Sequence, residues 1–318
     1  MRSSIILIAF LSLLPVLAQT QETENVNKRD MEADLDIIFS DSDGGIISAT
    51  SWTNGLDRDA EIYFCPAGIE RMSKNDVRKR HAFRWKVKYQ NIYVKAFGGL
   101  TVEGMNEHGF SASLMFLQNS MLAGQEKELI PIGASLLVNF FIDHFKCIDT
   151  ALLAIWDIRI FDDRDGESSW PFRLVLHDST GATAYVEYIQ GKKRVYTPEL
   201  PACIVSGRDY AHLLTIKYLA DSLPQTKAAQ RFIQASDSLG TLEGSYIRKN
   251  TFDFFNSLEK LSDNGLIIYR DHGKRPRIWH IIFNKEHVED PAYFLDAIPD
   301  YSEGKEEKIK LYQGQAFH

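Results

Sequence analysis

Cys65 is the first residue to weigh for chemistry. It closes a predicted strand at 61–65, and a thiol there would be a nucleophile if a base lay close by. No histidine neighbours it in sequence, so a buried structural cysteine is the plainer reading. His144 and Cys147, three residues apart in a segment with helical patterning, form a candidate ligand pair. Two ligands do not make a zinc site, and nothing nearby completes four, so no metal is expected. Two acidic stretches, 41–44 (DSDG) and 162–166 (DDRDG), carry the oxygen ligands that calcium prefers. The first reads better as a hairpin turn and the second as a solvated acidic loop. The basic cluster 274–277 (KRPR) reads as a solvated turn before a late strand.

The elements that must position these residues follow from period and punctuation. A short strand at 34–39 leads into a turn at Asp43-Gly44 and a second strand ending at Thr50. Further strands are predicted at 61–65, 92–97 and 110–116. Pro131 opens a predicted helix over 132–145, and Asp149 is placed as the N-cap of a second helix ending near Arg159. A meander follows, with strands at 172–177, 183–189 and 194–197 and glycine turns between them. Helices are predicted around 210–221, 227–236 and 251–261, and late strands at 277–283 and 309–312. Alternating blocks of strands and helices suggest an α+β protein with two antiparallel sheets packed face to face and helices outside.

Composition narrows the function classes. Apolar residues make up 44% and charged residues 25%, as in a globular protein with a sizeable core. A net charge of −7 argues against general nucleic-acid binding, which needs a basic face. Arg2, an apolar run at 5–17 and the small residue Ala18 have the layout of a secretory signal peptide cut after Ala18. The run is short against the roughly 20 residues of a membrane span, and no second run is long enough to span. The expected organisation is a signal peptide at 1–18, a polar linker or propeptide at 19–33, and one domain at 34–318, in an exported protein. Cys65, Cys147 and Cys203 do not form a disulfide framework, and three buried thiols are expected.

Several segments, taken in order, resemble the choloylglycine hydrolase and penicillin V acylase family. They are the first hairpin around Asp43-Gly44, then 63–68 (YFCPAG), 85–89 (WKVKY), 96–98 (AFG) and 103–110 (EGMNEHGF). They continue through 176–181 (LHDSTG) with Val186-Glu187-Tyr188, and 230–232 (QRF). The resemblance implies the four-layer αββα sandwich of N-terminal-nucleophile hydrolases and hydrolysis of linear amides. It implies a cysteine nucleophile whose own α-amine is the base, an arginine sixteen residues on, an aspartate three beyond that, an asparagine donor and a late arginine.

Placed on this chain, those positions are Asp34, Thr50, Thr53, Ser206 and Arg231, so only the last keeps its residue type. A carboxylate is a poor nucleophile toward an amide, and Thr50 and Thr53 remove two organising charges. Ser40, Ser42 and Ser48 would become N-terminal nucleophiles only if the chain were cut further along, at the cost of the first strand. The expectation is therefore a member of this family without the family chemistry. It would bind a small acyl amide or related ligand, or a partner, with Phe116 and Trp170 bordering an apolar pocket and without a cofactor. An ion pair between Asp34 and Arg231 would keep the altered site satisfied. Two alternatives stand beside this: an active amide hydrolase with another nucleophile, and a secreted structural or interaction protein. A homo-oligomer is in keeping with the resemblance.

Overall fold

The computed structural model describes residues 34–40, 44–52, 60–73, 82–122, 129–163, 171–219, 227–239, 266–272, 278–282 and 306–309. The predicted leader, Thr53, Trp170, the helix at 251–261 and the basic cluster at 274–277 lie outside them, as does most of each acidic stretch.

Two long sheets organise the chain. In chain order the strands are β1 (Leu35–Ser40), β2 (Ile46–Trp52), β3 (Glu61–Cys65), β4 (Glu70–Met72), β5 (Arg84–Lys86), β6 (Asn91–Ala96), β7 (Leu100–Asn106), β8 (Ser111–Phe116) and β9 (Ile130–Gly133). Helices α1 (Leu137–His144) and α2 (Ile148–Asp157) come next. Then follow β10 (Ile158–Phe161), β11 (Phe172–His177), β12 (Thr183–Ile189), β13 (Lys192–Tyr196) and β14 (Ala202–Val205). Helices α3 (Tyr210–Tyr218) and α4 (Lys227–Ser238) precede β15 (Leu266–Asp271), β16 (Ile278–Ile282) and β17 (Glu307–Ile309). The first sheet has the order β14-β1-β2-β15-β16, and the second β13-β12-β11-β8-β7-β6-β3-β17.

Strand parity assigns the faces. Along a strand, alternate side chains point to opposite sides of the sheet. In the first sheet Leu35, Ile37 and Phe39 share a face and pack with Leu213 of α3 and Phe232 of α4. In the second sheet Leu114, Leu174 and Val186 share a core with Leu137 and Phe141 of α1 and Ile155 of α2. The remaining two faces meet each other. This is the expected αββα stack, and each fully buried Leu, Ile or Phe contributes about 1.5–3 kcal/mol to it.

Local chemistry fixes the helix ends. Asn106, closing β7, donates to the carbonyls of Ile142 and Phe145 at 2.8 and 2.7 Å, satisfying the end of α1. Its Oδ1 accepts the amides of His108 and Phe110 across a turn in which Gly109 has φ 74°. The N-cap of α2 is Cys147, not Asp149, and it offers no side-chain cap. The first-turn amide of Ile148 is satisfied instead by Asp178, 2.8 Å away in the turn after β11. The predicted helix at 132–145 begins later, because Ile130–Gly133 pairs in parallel with β10. His144 and Cys147 therefore sit in separate contexts, at the end of α1 and the start of α2. All three cysteines are free thiols, and Cys147 is half-buried rather than buried as expected.

Candidate functional site

Asp34 stands at the head of β1 and is 7% exposed. Its carbonyl accepts the Ser206 amide at 2.8 Å, which carries the β1–β14 pairing one residue past β14. The next amide, Leu35 N–H, donates to Ser51 Oγ at 3.1 Å. Arg231 Nη2, reaching in from α4, donates to that same oxygen at 3.2 Å. Thus Asp34, Ser206 and Arg231 gather around one strand end.

Thr50 faces Asp36 across the β1–β2 pairing. Its hydroxyl donates to Asp36 Oδ2 at 2.7 Å and accepts from Arg270 Nη2 at 2.8 Å. A guanidinium therefore does lie beside position 50, but β15 supplies it. Thr53 and Trp170 fall outside the described residues. Phe116 lies opposite Phe172, is half-buried, and accepts the Gly207 amide at 2.9 Å through its carbonyl.

Beside buried Met115, Val175 and Tyr185, the faces between the sheets carry a run of polar groups where an apolar core would be ordinary. Asp36 Oδ1 meets His177 Nε2 of β11 at 2.8 Å. Arg270 is paired with Glu103 of β7, and Glu103 also accepts Trp52 Nε1 at 3.1 Å. Arg270 Nη1 donates to Ser48 Oγ at 2.9 Å, and Ser48 Oγ lies 2.7 Å from His272 Nε2. The other ring nitrogen of His272 is 2.6 Å from the Gly109 carbonyl and so donates to it, leaving Nε2 of a neutral ring to accept from Ser48. Burial pushes the Arg270 guanidinium down to about 10, against the opposing pull of Asp36. A buried charge is tolerated only when paired, and this layer supplies pairs from four strands of both sheets.

A second buried pair lies nearer Ser206. Arg173 Nη2 is 3.3 Å from Glu187 Oε1 and donates to the Arg208 carbonyl. Burial lowers the Arg173 pKa and raises that of Glu187, and each partner opposes the shift of the other. Glu187 also accepts the Tyr210 amide at 2.9 Å at the start of α3.

Cys65 belongs elsewhere. It ends β3 in the core shared with α1, and burial drives its thiol up to about 12 although Arg71 works against this. A thiol held protonated is a poor nucleophile. His144 Nδ1 contacts the Phe140 carbonyl at 2.8 Å, and no group of three metal-ligating side chains occurs among the described residues. No described helix is long and apolar enough to cross a membrane.

Sequence reading missed Asp36, Glu103, His177 and Arg270 as site neighbours. One signal was present: Asp34 and Asp36 are two apart on a strand and must share a face.

No protein-family model matches the chain. Penicillin V acylase from Pectobacterium atrosepticum is 24% identical over 208 residues, which is 60% of this chain and 54% of that protein. The chain thus spans about half the length of the curated relative it matches. The structure resembles penicillin V acylase from Agrobacterium tumefaciens with a TM-score of 0.63 at 18% identity, covering 78% of this chain and 82% of the other. It resembles a mutant of conjugated bile acid hydrolase from Clostridium perfringens with a TM-score of 0.63 at 12% identity, covering 90% and 99%. At these identities the structural likenesses establish the fold.

Proposed function

We propose that this chain, a homologue of penicillin V acylase with the N-terminal-nucleophile hydrolase fold, binds an acyl ligand at the Asp34 strand end without hydrolysing amides by the family route. The carrying observation is the environment of Thr50. Its hydroxyl is spent on Asp36 and on Arg270, so a position that would organise a nucleophile instead belongs to a structural network. A carboxylate at Asp34 adds a second reason, since displacing an amine from an amide with a carboxylate is strongly uphill. The raised thiol pKa of Cys65 weighs against a relocated cysteine nucleophile. In this reading Arg231 balances Asp34, and the protein acts outside the cytoplasm after loss of its leader.

The test uses the exported form, with its first residue fixed by N-terminal sequencing. It is assayed for hydrolysis of penicillin V and conjugated bile salts, and for saturable binding of the same compounds. The expected result is binding with no turnover above background. Turnover lost in Cys65→Ser would establish a hydrolase with a different nucleophile. Absence of both binding and turnover would leave a structural or interaction role.

A further inference from the structure

Three buried side chains near Ser206 hold hydrogen-bonding atoms with no acceptor. They are Arg173 at Nε and Nη1, Ser206 at Oγ and Tyr185 at its hydroxyl. All three residues are fully buried. Arg173 spends only Nη2, on Glu187 and the Arg208 carbonyl. Unpaired buried donors are costly, so a cluster of them calls for an acceptor.

The three-residue stretch Ser206-Gly207-Arg208 brings them together. Ser206 N–H joins Asp34 of the first sheet, Gly207 N–H joins Phe116 of the second, and the Arg208 carbonyl takes Arg173. Tyr185 lies two residues from Glu187 on the same face of β12. Burial holds its hydroxyl well above the ordinary tyrosine range; Asp36 adds to this and Arg173 opposes it. Gly207 has φ 90°, and a Cβ built on it would meet nothing within 4 Å, so space opens beside this turn. Residues 207–210, which follow the cluster's Ser206, are half-buried and so lie nearer solvent than the cluster itself.

We infer that this cluster receives the carboxylate of a free acid, in preference to a neutral amide. The inference rests on the acyl-ligand reading above and names the chemical class of that ligand. A carboxylate brings acceptors only, whereas a primary amide brings one carbonyl and two further donors into a region already rich in donors. Hydrogen bonds from a guanidinium to a charged oxygen are also the stronger kind.

The experiment measures equilibrium binding of matched probes to the full chain: hexanoate against hexanamide, and phenylacetate against phenylacetamide. The acids should bind at least about tenfold more tightly, the gain expected from one or two charge-assisted contacts. Arg173→Met combined with Glu187→Gln removes both charges of the pair together and should erase that preference. Ser206→Ala should reduce it severalfold, and decides the matter if the double variant does not fold. Amides binding as tightly as acids would overturn the inference while leaving an acyl site in place. A preference unchanged in Ser206→Ala and in the folded double variant would also overturn it. If neither acid nor amide binds, both the inference and the acyl-ligand reading fail.

Discussion

The Asp36 carboxylate and the His177 imidazole lie 2.8 Å apart across the gap between the two sheets. Asp36 belongs to β1 and His177 to β11, so this contact and the Thr50 contact tie three strands through one side chain. Asp36→Ala would leave His177 and Arg270 facing an unfilled acceptor site. A loss of about 3–5 kcal/mol is expected, as for breaking a buried charge pair from one side. Urea unfolding measures it, and a loss under about 1 kcal/mol would show that the contact carries little.

Arg270 offers a sharper comparison. Arg270→Met alone strands Glu103, while Arg270→Met with Glu103→Gln removes both charges at once. The double variant should recover at least half of the stability lost by the single one, because the desolvation cost disappears with the pair. Simple additivity in a double-mutant cycle would contradict direct coupling between them.

Installing an arginine at position 50 should not revive a hydrolase. Thr50→Arg would place a second guanidinium against Arg270, whose Nη2 already lies 2.8 Å from the Thr50 hydroxyl. A loss of about 2–4 kcal/mol is expected from like charge and overpacking in a buried layer. Thermal unfolding of Thr50→Arg with and without Arg270→Met separates the two causes, since methionine keeps most of the bulk at 270 while removing the charge.

Alkaline pH should weaken the fold through its thiols. Burial raises Cys65 and Cys203 from their ordinary value of 9.0 to about 12. Each folded thiol therefore keeps its proton where the unfolded chain would release it. Their contribution is complete below pH 9 and is lost as pH rises toward 12. Urea midpoints should fall between pH 9 and 11, less steeply in Cys65→Ala with Cys203→Ala. At pH 8 a thiol reagent should label the half-buried Cys147 at once and the other two only after unfolding.

Gly104 marks where α1 rests on β7. A Cβ there would lie 2.6 Å from Ile142 Cδ1 and 2.8 Å from the Ile92 carbonyl. Backbone cannot yield as a side-chain tip can, so Gly104→Ala should cost about 1–3 kcal/mol. An unchanged melting temperature would mean that both α1 and the β6 backbone give way freely here.

What was legible in the sequence follows from where each element lies. The meander β11–β13 and the hairpin β1–β2 were readable because tight turns punctuate them. β7 and β15 were not. β7 is buried along its whole length, so alternation disappears, and Gly104 and Asn106 further blur it. β15 runs between β2 and β16 inside the first sheet. The pairing of β9 with β10 was hidden for another reason, since it joins residues 28 apart, such as Ile130 and Ile158, and Pro131 mimics a helix start. For the site, resemblance singled out Asp34, Ser206 and Arg231, which lie around one strand end. Glu103, His177 and Arg270 were beyond reach, because only the stacking of two sheets brings them to β1 and β2.

The polar seam between the sheets also bears on descent. Asp36, Glu103 and Arg270 cannot be exchanged one at a time without stranding a partner, so lineages must alter them in concert or retain them together. A related chain with an apolar residue at the place of Arg270 should carry neutral residues at the places of Asp36 and Glu103. Their joint gain or loss would then date the remodelling of this seam as a single event in the history of the fold.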